Sequence, residues 1–231
     1  TSLILIGLTL ISNLFWLLPN IYFALNHAGE VREAKITRLF SQEAFLHNKQ
    51  YGNIKDVALM KNFLFNWGVH QGDESFEPLL QSWHYHLANP LVRGVGYVVF
   101  GVVLLGVFLA FIKKDKLFIS FSGIFFLSLF FLFNVNPPLG FLFKLFQKYV
   151  PLFGEAFRFP FTKFSILAVF TYGVFFSYAL AHLFNFVSGF VKRKWIIKGV
   201  CSLTLLVVSL SLLFYVKPFF KGQLISPFMR V

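Results

Sequence analysis

Five ionisable side chains fall close together in the stretch 134–164, NVNPPLGFLFKLFQKYVPLFGEAFRFPFTKF: Lys144, Lys148, Glu155, Arg158 and Lys163. They stand among aromatic residues, between two long apolar segments. Charged groups held close to hydrocarbon are expensive, so a segment that concentrates them there is a candidate functional site by default. The Arg158 guanidinium can grip a phosphate or carboxylate through two parallel hydrogen bonds, and the lysines add compact point charges. An anionic ligand suits this set, and a lipid phosphate is the obvious anion at that depth. A second account also fits: Lys144 and Lys148 snorkel from an interfacial helix, Arg158 and Lys163 anchor a helix end, and Glu155 is the ion-pair partner of Arg158.

Other reactive residue types suggest less. His84 and His86 form an HxH pair that could supply two metal ligands, but no third and fourth ligand follow at a typical spacing, and no metal is assigned. His182 lies inside an apolar segment and reads as packed or snorkelling. Cys201 is the single cysteine, so neither a disulfide framework nor a thiolate metal site can be built. The chain has no phosphate-cradling P-loop, no dinucleotide fingerprint and no nucleophile elbow. No catalytic residue is identified.

The elements that must position these groups follow from composition. The chain is 57% hydrophobic and only 13% charged, with a mean hydropathy of +0.71, far too apolar for a soluble domain of this size. About twenty apolar residues cross the hydrocarbon, and five segments qualify: 3–18, ended or kinked by Pro19, then 91–112, 117–133, 164–187 and 196–216. The expected fold is all-α, a polytopic transmembrane helix bundle with about five spans and an extracytoplasmic loop or small helical subdomain.

That subdomain is the excursion 19–90, which holds seven of the nine acidic residues. Helices are expected over 30–47 and from an Asn53 and Asp56 capping pair towards Trp67, with a loop over 71–78. Trp67 and Trp83 suit a membrane interface. Within the re-entrant or interfacial segment 134–163, residues 139–149 are amphipathic at helical spacing and too short to span. Lys144, Gln147 and Lys148 share one face, between Pro137-Pro138 and Pro151. A non-helical turn over 154–160 then precedes the next span.

The net charge of +12 sits in short clusters at the ends of apolar segments, which membrane topology explains without nucleic acid. Lys113, Lys114 and Lys116, with Lys192, Arg193, Lys194 and Lys198, crowd two very short connections, placed in the cytoplasm. The opposite side carries an equal number, counting Lys144, Lys148, Arg158, Lys163, Lys217, Lys221 and Arg230, so density decides the orientation and not the count. The excursion, the central stretch and the tail 217–231 are then extracytoplasmic. The chain opens inside an apolar run with no initiator Met, basic n-region or cleavage site, and reads as an internal fragment of a longer protein.

The succession NPPLG, a short amphipathic helix, PLFGEAFRFPFTKF at a helix start, and a span followed by KPFFKGQLISPFMRV resembles the late transmembrane region of large bacterial polytopic glycosyltransferases of the GT-C architecture. The likeness is to the arabinofuranosyltransferase group and the YfhO-like membrane proteins in particular. Their Arg-Xaa-Pro-Xaa-Xaa-Lys-type element corresponds to Arg158, Pro160 and Lys163, and FLFNWG (63–68) is similar to part of their outer loop. The resemblance implies a multi-pass enzyme of the bacterial cytoplasmic membrane that takes a polyprenyl-phosphate-linked sugar as donor and works within membrane lipid. Such a reaction needs a carboxylate to take the acceptor's proton, and positive charge or a divalent metal to meet the departing phosphate. The second role suits Arg158, Lys163 and Lys144. The family's acidic residues, and any divalent metal, lie outside this chain. A transporter or flippase of lipid-linked glycans, or a structural assembly partner, is the competing class. No internal repeat and little midplane charge are visible, which favours the enzyme.

Overall fold

The computed structural model describes residues 2–65, 67–70, 75–190 and 193–222. The fold is all-α, with four helices long and apolar enough to cross a membrane, or five if one bent pair counts as a span. That pair comes first, as α1 (Ser2–Ser12) and α2 (Leu14–Asn26), which meet at 74°. The break falls at Asn13 and not at Pro19, which lies inside α2. Asn13 gives the physical reason: its amide donates to the Thr9 carbonyl at 2.7 Å and its oxygen accepts the Trp16 indole N–H at 2.7 Å. A side chain that bonds its own neighbourhood competes with the helix ladder.

A polar cap follows. It comprises α3 (Ala28–Glu33), α4 (Lys35–Tyr51), α5 (Ile54–Ala58), a 3₁₀ turn at Phe63–Phe65, an antiparallel pair β1 (Gly68–His70) and β2 (Phe76–Pro78), and α6 (Gln81–Ala88). The helix expected over 30–47 is broken at Ala34, whose backbone is extended (φ −60°, ψ 123°). The Asn53 cap is present, its oxygen accepting the Lys55 and Asp56 amides at 3.0 Å. It starts only a five-residue helix, however, because Met60 takes a positive φ of 52° and the Lys61 amide closes back on the Asp56 carbonyl. Part of the expected loop is β2, paired with β1 so that Val69 faces Glu77; residues 71–74 lie outside those described.

The membrane core is built by α7 (Pro90–Ile112), α8 (Lys116–Phe133) and a long helix described below, with two short elements between: α9 (Gly140–Tyr149) and α10 (Phe153–Ala156). The long helix, α11 (Pro160–Phe190), packs along both α7 and α8. Phe125, Val103, Thr171 and Phe175 lie at its centre with no exposure. A Cβ at Gly106 would stand 2.1 Å from the Phe175 carbonyl oxygen, so glycine lets the α7 and α11 backbones touch. Close approach through small residues is the usual means of packing helices where lipid is as apolar as the helix itself. The final span α12 (Lys194–Tyr215) and the short α13 (Lys217–Phe220) complete the described chain; most of the KPFFKGQLISPFMRV tail, with Arg230, lies beyond it.

Hydroxyls from the spans hold the cap. Tyr172 of α11 donates to the Val57 carbonyl at 3.3 Å, and Tyr215 of α12 to the Leu59 carbonyl at 3.0 Å. Tyr215 satisfies the Leu59 carbonyl where α5 ends, a group that would be costly to bury unpaired, and Tyr172 adds a second bond to the Val57 carbonyl, which also accepts the Met60 amide at 3.0 Å.

Candidate functional site

The site begins with the way α9 is seated. Phe143 and Gly140 are buried, while Phe141, Leu145 and Tyr149 form an exposed apolar stripe. At 100° per residue, Lys144 and Lys148 fall between these two faces. A helix with one face on protein, one apolar face outward and lysines along the edge suits a position in the interface plane. Phenylalanine fixes it there. Phe131 of α8, Phe143 and Phe153 bury one another, and the Phe131 ring stacks on Phe164 of α11 at 3.9 Å and 5°. The four elements are therefore held as one block at this edge of the bundle.

Across from α9 stands α4. Between them runs a groove of about 670 Å³, lined by Gln42, Leu46 and Lys49 of α4, Asn136, and Lys144 and Gln147 of α9. A second groove of about 440 Å³ adjoins it, sharing Phe45 and Gln147 and adding Lys148 and Glu155. Gly154 borders it, and a Cβ there would press on the Phe45 ring at 3.1 Å. Three cations and one carboxylate thus line two adjoining clefts. Among the described residues, none of the four is in an ion pair.

The other two candidate residues stand apart from these grooves. Lys163 donates to the Ala156 carbonyl at the end of α10 and lies 5.6 Å from the Phe157 ring centre, which places its charge on the exposed end of a short helix. Arg158 is joined to the cap through its backbone, where its carbonyl accepts the Asn48 amide at 2.6 Å. Its guanidinium lies 5.6 Å from the centre of the Phe159 ring, and among the described residues no ion pair links it to Glu155. The segment before α11 is also less irregular than expected, since part of it forms α10.

Behind the grooves, asparagines knit the cap to the bundle. Asn134, buried and at φ 45°, accepts the Val135 amide at 2.5 Å and donates to the Leu132 carbonyl at 3.1 Å. Asn136 donates to the Asn48 carbonyl at 3.3 Å. A Cβ at Gly52 would fall 2.4 Å from the Asn134 amide nitrogen and 2.7 Å from the Phe133 carbonyl, so this crossing admits only glycine. Asn48, Asn62 and Asn134 also line a cavity of about 20 Å³, room for about one water. Nearby, burial pushes the Asp56 carboxyl above its ordinary range, with Lys61 and the Asn53 amide pulling the other way. Burial beside Asp56 pushes the Tyr51 phenol up too.

The histidine pair is divided. His86 Nε2 lies 3.0 Å from the Phe214 carbonyl and 3.1 Å from that of Tyr215, so its N–H caps the last turn of α12. Among the described residues, no three His, Cys, Asp or Glu side chains gather as a metal site would need. Lys49 is the charged groove residue that sequence reasoning missed, because nothing in the sequence links it to a helix 95 positions later; the crossing at Asn48 and Gly52 brings it there. No protein-family model, no curated protein and no solved structure matches the chain.

Proposed function

We propose that this chain forms the lipid-phosphate-holding part of a membrane glycosyltransferase that takes a polyprenyl-phosphate-linked sugar, with the cap and α9 on the extracytoplasmic side of a bacterial cytoplasmic membrane. The observation that carries the reading is the basic groove between α4 and α9, with Lys49 and Lys144 on facing elements and Lys148 in the adjoining cleft. The apolar stripe of α9 sets these ammonium groups at the depth where lipid phosphates lie. A phosphate entering the groove would meet positive charge on two sides, and one leaving after sugar transfer would carry developing negative charge into the same field. Gln147 and Glu155 offer a hydrogen-bond donor and acceptor for sugar hydroxyls beside it. Arg158 and Lys163 then act from the neighbouring turn, by positioning the start of α11.

The test is binding of a polyprenyl phosphate to the full protein, with the Lys49→Gln/Lys144→Gln double variant compared with Arg158→Gln. Each groove lysine is expected to contribute about fivefold in affinity, on the scale of about 1 kcal/mol per cation near a lipid surface. The double variant should therefore bind about 25-fold more weakly at unchanged expression. Equal binding by wild type and double variant would remove the groove from the reading. Loss of sugar transfer in the same variant would extend it from binding to catalysis.

A further inference from the structure

At the opposite end of the bundle lies a second groove, of about 430 Å³, between α7 and α11. Its depth in the membrane follows from helix length. His182 lies 22 residues beyond the start of α11, about 33 Å at 1.5 Å per residue, which is about the thickness of the hydrocarbon. One part of the groove is hydrocarbon-like, walled by Leu105, Leu109 and Leu183. Its mouth is polar, with Lys113 from the end of α7 and His182 and Asn185 from α11. The His182 ring is held in place edge-on against Tyr178, 4.5 Å between centres.

Three lysines against one carboxylate leave the chain beside this mouth net positive. Lys113, Lys114 and Lys116 are exposed within four positions of each other, and among the described residues none is in an ion pair. The single acid among them, Asp115, is committed elsewhere: its carboxylate accepts the Leu117 and Phe118 amides at 3.1 and 3.4 Å, capping α8, and faces the Tyr178 hydroxyl. The groove therefore joins a net positive mouth, with Lys113 in its lining and Lys114 and Lys116 beside it, to an apolar slot at the level of the headgroups. A free phosphate would use only the mouth; an anionic phospholipid fills both parts, with its phosphate at Lys113 and one acyl chain along the leucines.

We infer that this groove is a binding site for one anionic phospholipid of the leaflet opposite the cap. It is independent of the lipid-phosphate groove at α9, which lies about a membrane thickness away. The experiment is native mass spectrometry of the full protein in detergent, titrated with phosphatidylglycerol or phosphatidylcholine of the same chains. Wild type should retain one phosphatidylglycerol at least about tenfold in preference to phosphatidylcholine. Lys113→Gln should cut that preference about fivefold, Lys113→Arg should keep it, and Lys198→Gln, which removes a charge from α12 outside the groove, should also keep it. An absent preference in wild type, an undiminished preference in Lys113→Gln, or equal loss from Lys198→Gln would each overturn the site. Displacement of the lipid by millimolar inorganic phosphate would assign the mouth to free phosphate and overturn the lipid assignment.

Discussion

Helices α8 and α12 are both apolar enough to span a membrane, yet the protein uses them in opposite ways. In α8, 39% of the most apolar window is buried in the protein; in α12 the figure is 0%. The difference lies in what each helix offers its neighbours. Ser122, Phe125, Ser128 and Leu129 of α8 are buried against the core, and the seam beside it is closed by Gly106, where α7 meets the backbone of α11. Gly199 of α12 has no atom within 4 Å of where its Cβ would stand, and Leu203, Leu206 and Leu210 point outward. Apolar character decides whether a segment enters the membrane, and the fit of its side chains to neighbouring helices decides whether it then packs; a small residue alone does not, since Gly123 of α8 is as open as Gly199.

The sharpest way to break this contrast is to place the same side chain at both glycines. Gly106→Val should separate α7 from α11 and cost about 3 kcal/mol by overpacking; Gly199→Val should leave the thermal midpoint in detergent unchanged. A similar drop in both would show that α12 packs as tightly as the core. A smaller effect is expected from Tyr215→Phe, which removes the hydroxyl that joins α12 to Leu59. The loss should be about 1 kcal/mol, read as faster amide exchange over residues 56–61 with α7, α8 and α11 unaltered. Exchange rising throughout the bundle would make the tie part of the core.

The smallest effect concerns pH in the cap. The folded carboxyl of Asp56 is raised, so below its ordinary value both folded and unfolded forms hold the proton and its stabilising contribution is complete. Between the ordinary and the raised value only the folded form keeps it, so stability falls as pH rises through that window. The thermal midpoint difference between Asp56→Asn and wild type should therefore widen in favour of the variant from pH 4 to pH 7. A difference that does not change with pH would show that Asp56 titrates alike in both states.

Four of the five expected spans were legible because their apolar runs are of the right length, while the first became a pair bent by 74°; the Asn53 cap was legible because its signal is local. Asn13 breaking a helix that Pro19 leaves whole was not legible, since it depends on a side chain turning back to Thr9 and Trp16. For the candidate site, the edge position of Lys144 and Lys148 on α9 could be read from helical spacing. Their partner Lys49 could not, because it arrives through a crossing fixed by Gly52, Asn134 and Asn136, residues that carry no sign of contact in the sequence.

The two tyrosine ties also set an order in time. Val57 leaves the ribosome 115 residues before Tyr172, and Leu59 leaves it 156 residues before Tyr215. At about 5–20 residues per second, the cap waits on the order of ten seconds for its last anchor. Throughout that interval it is a nascent domain without its foundation, and chaperones or proteases that meet the growing chain encounter the cap first in this unanchored form.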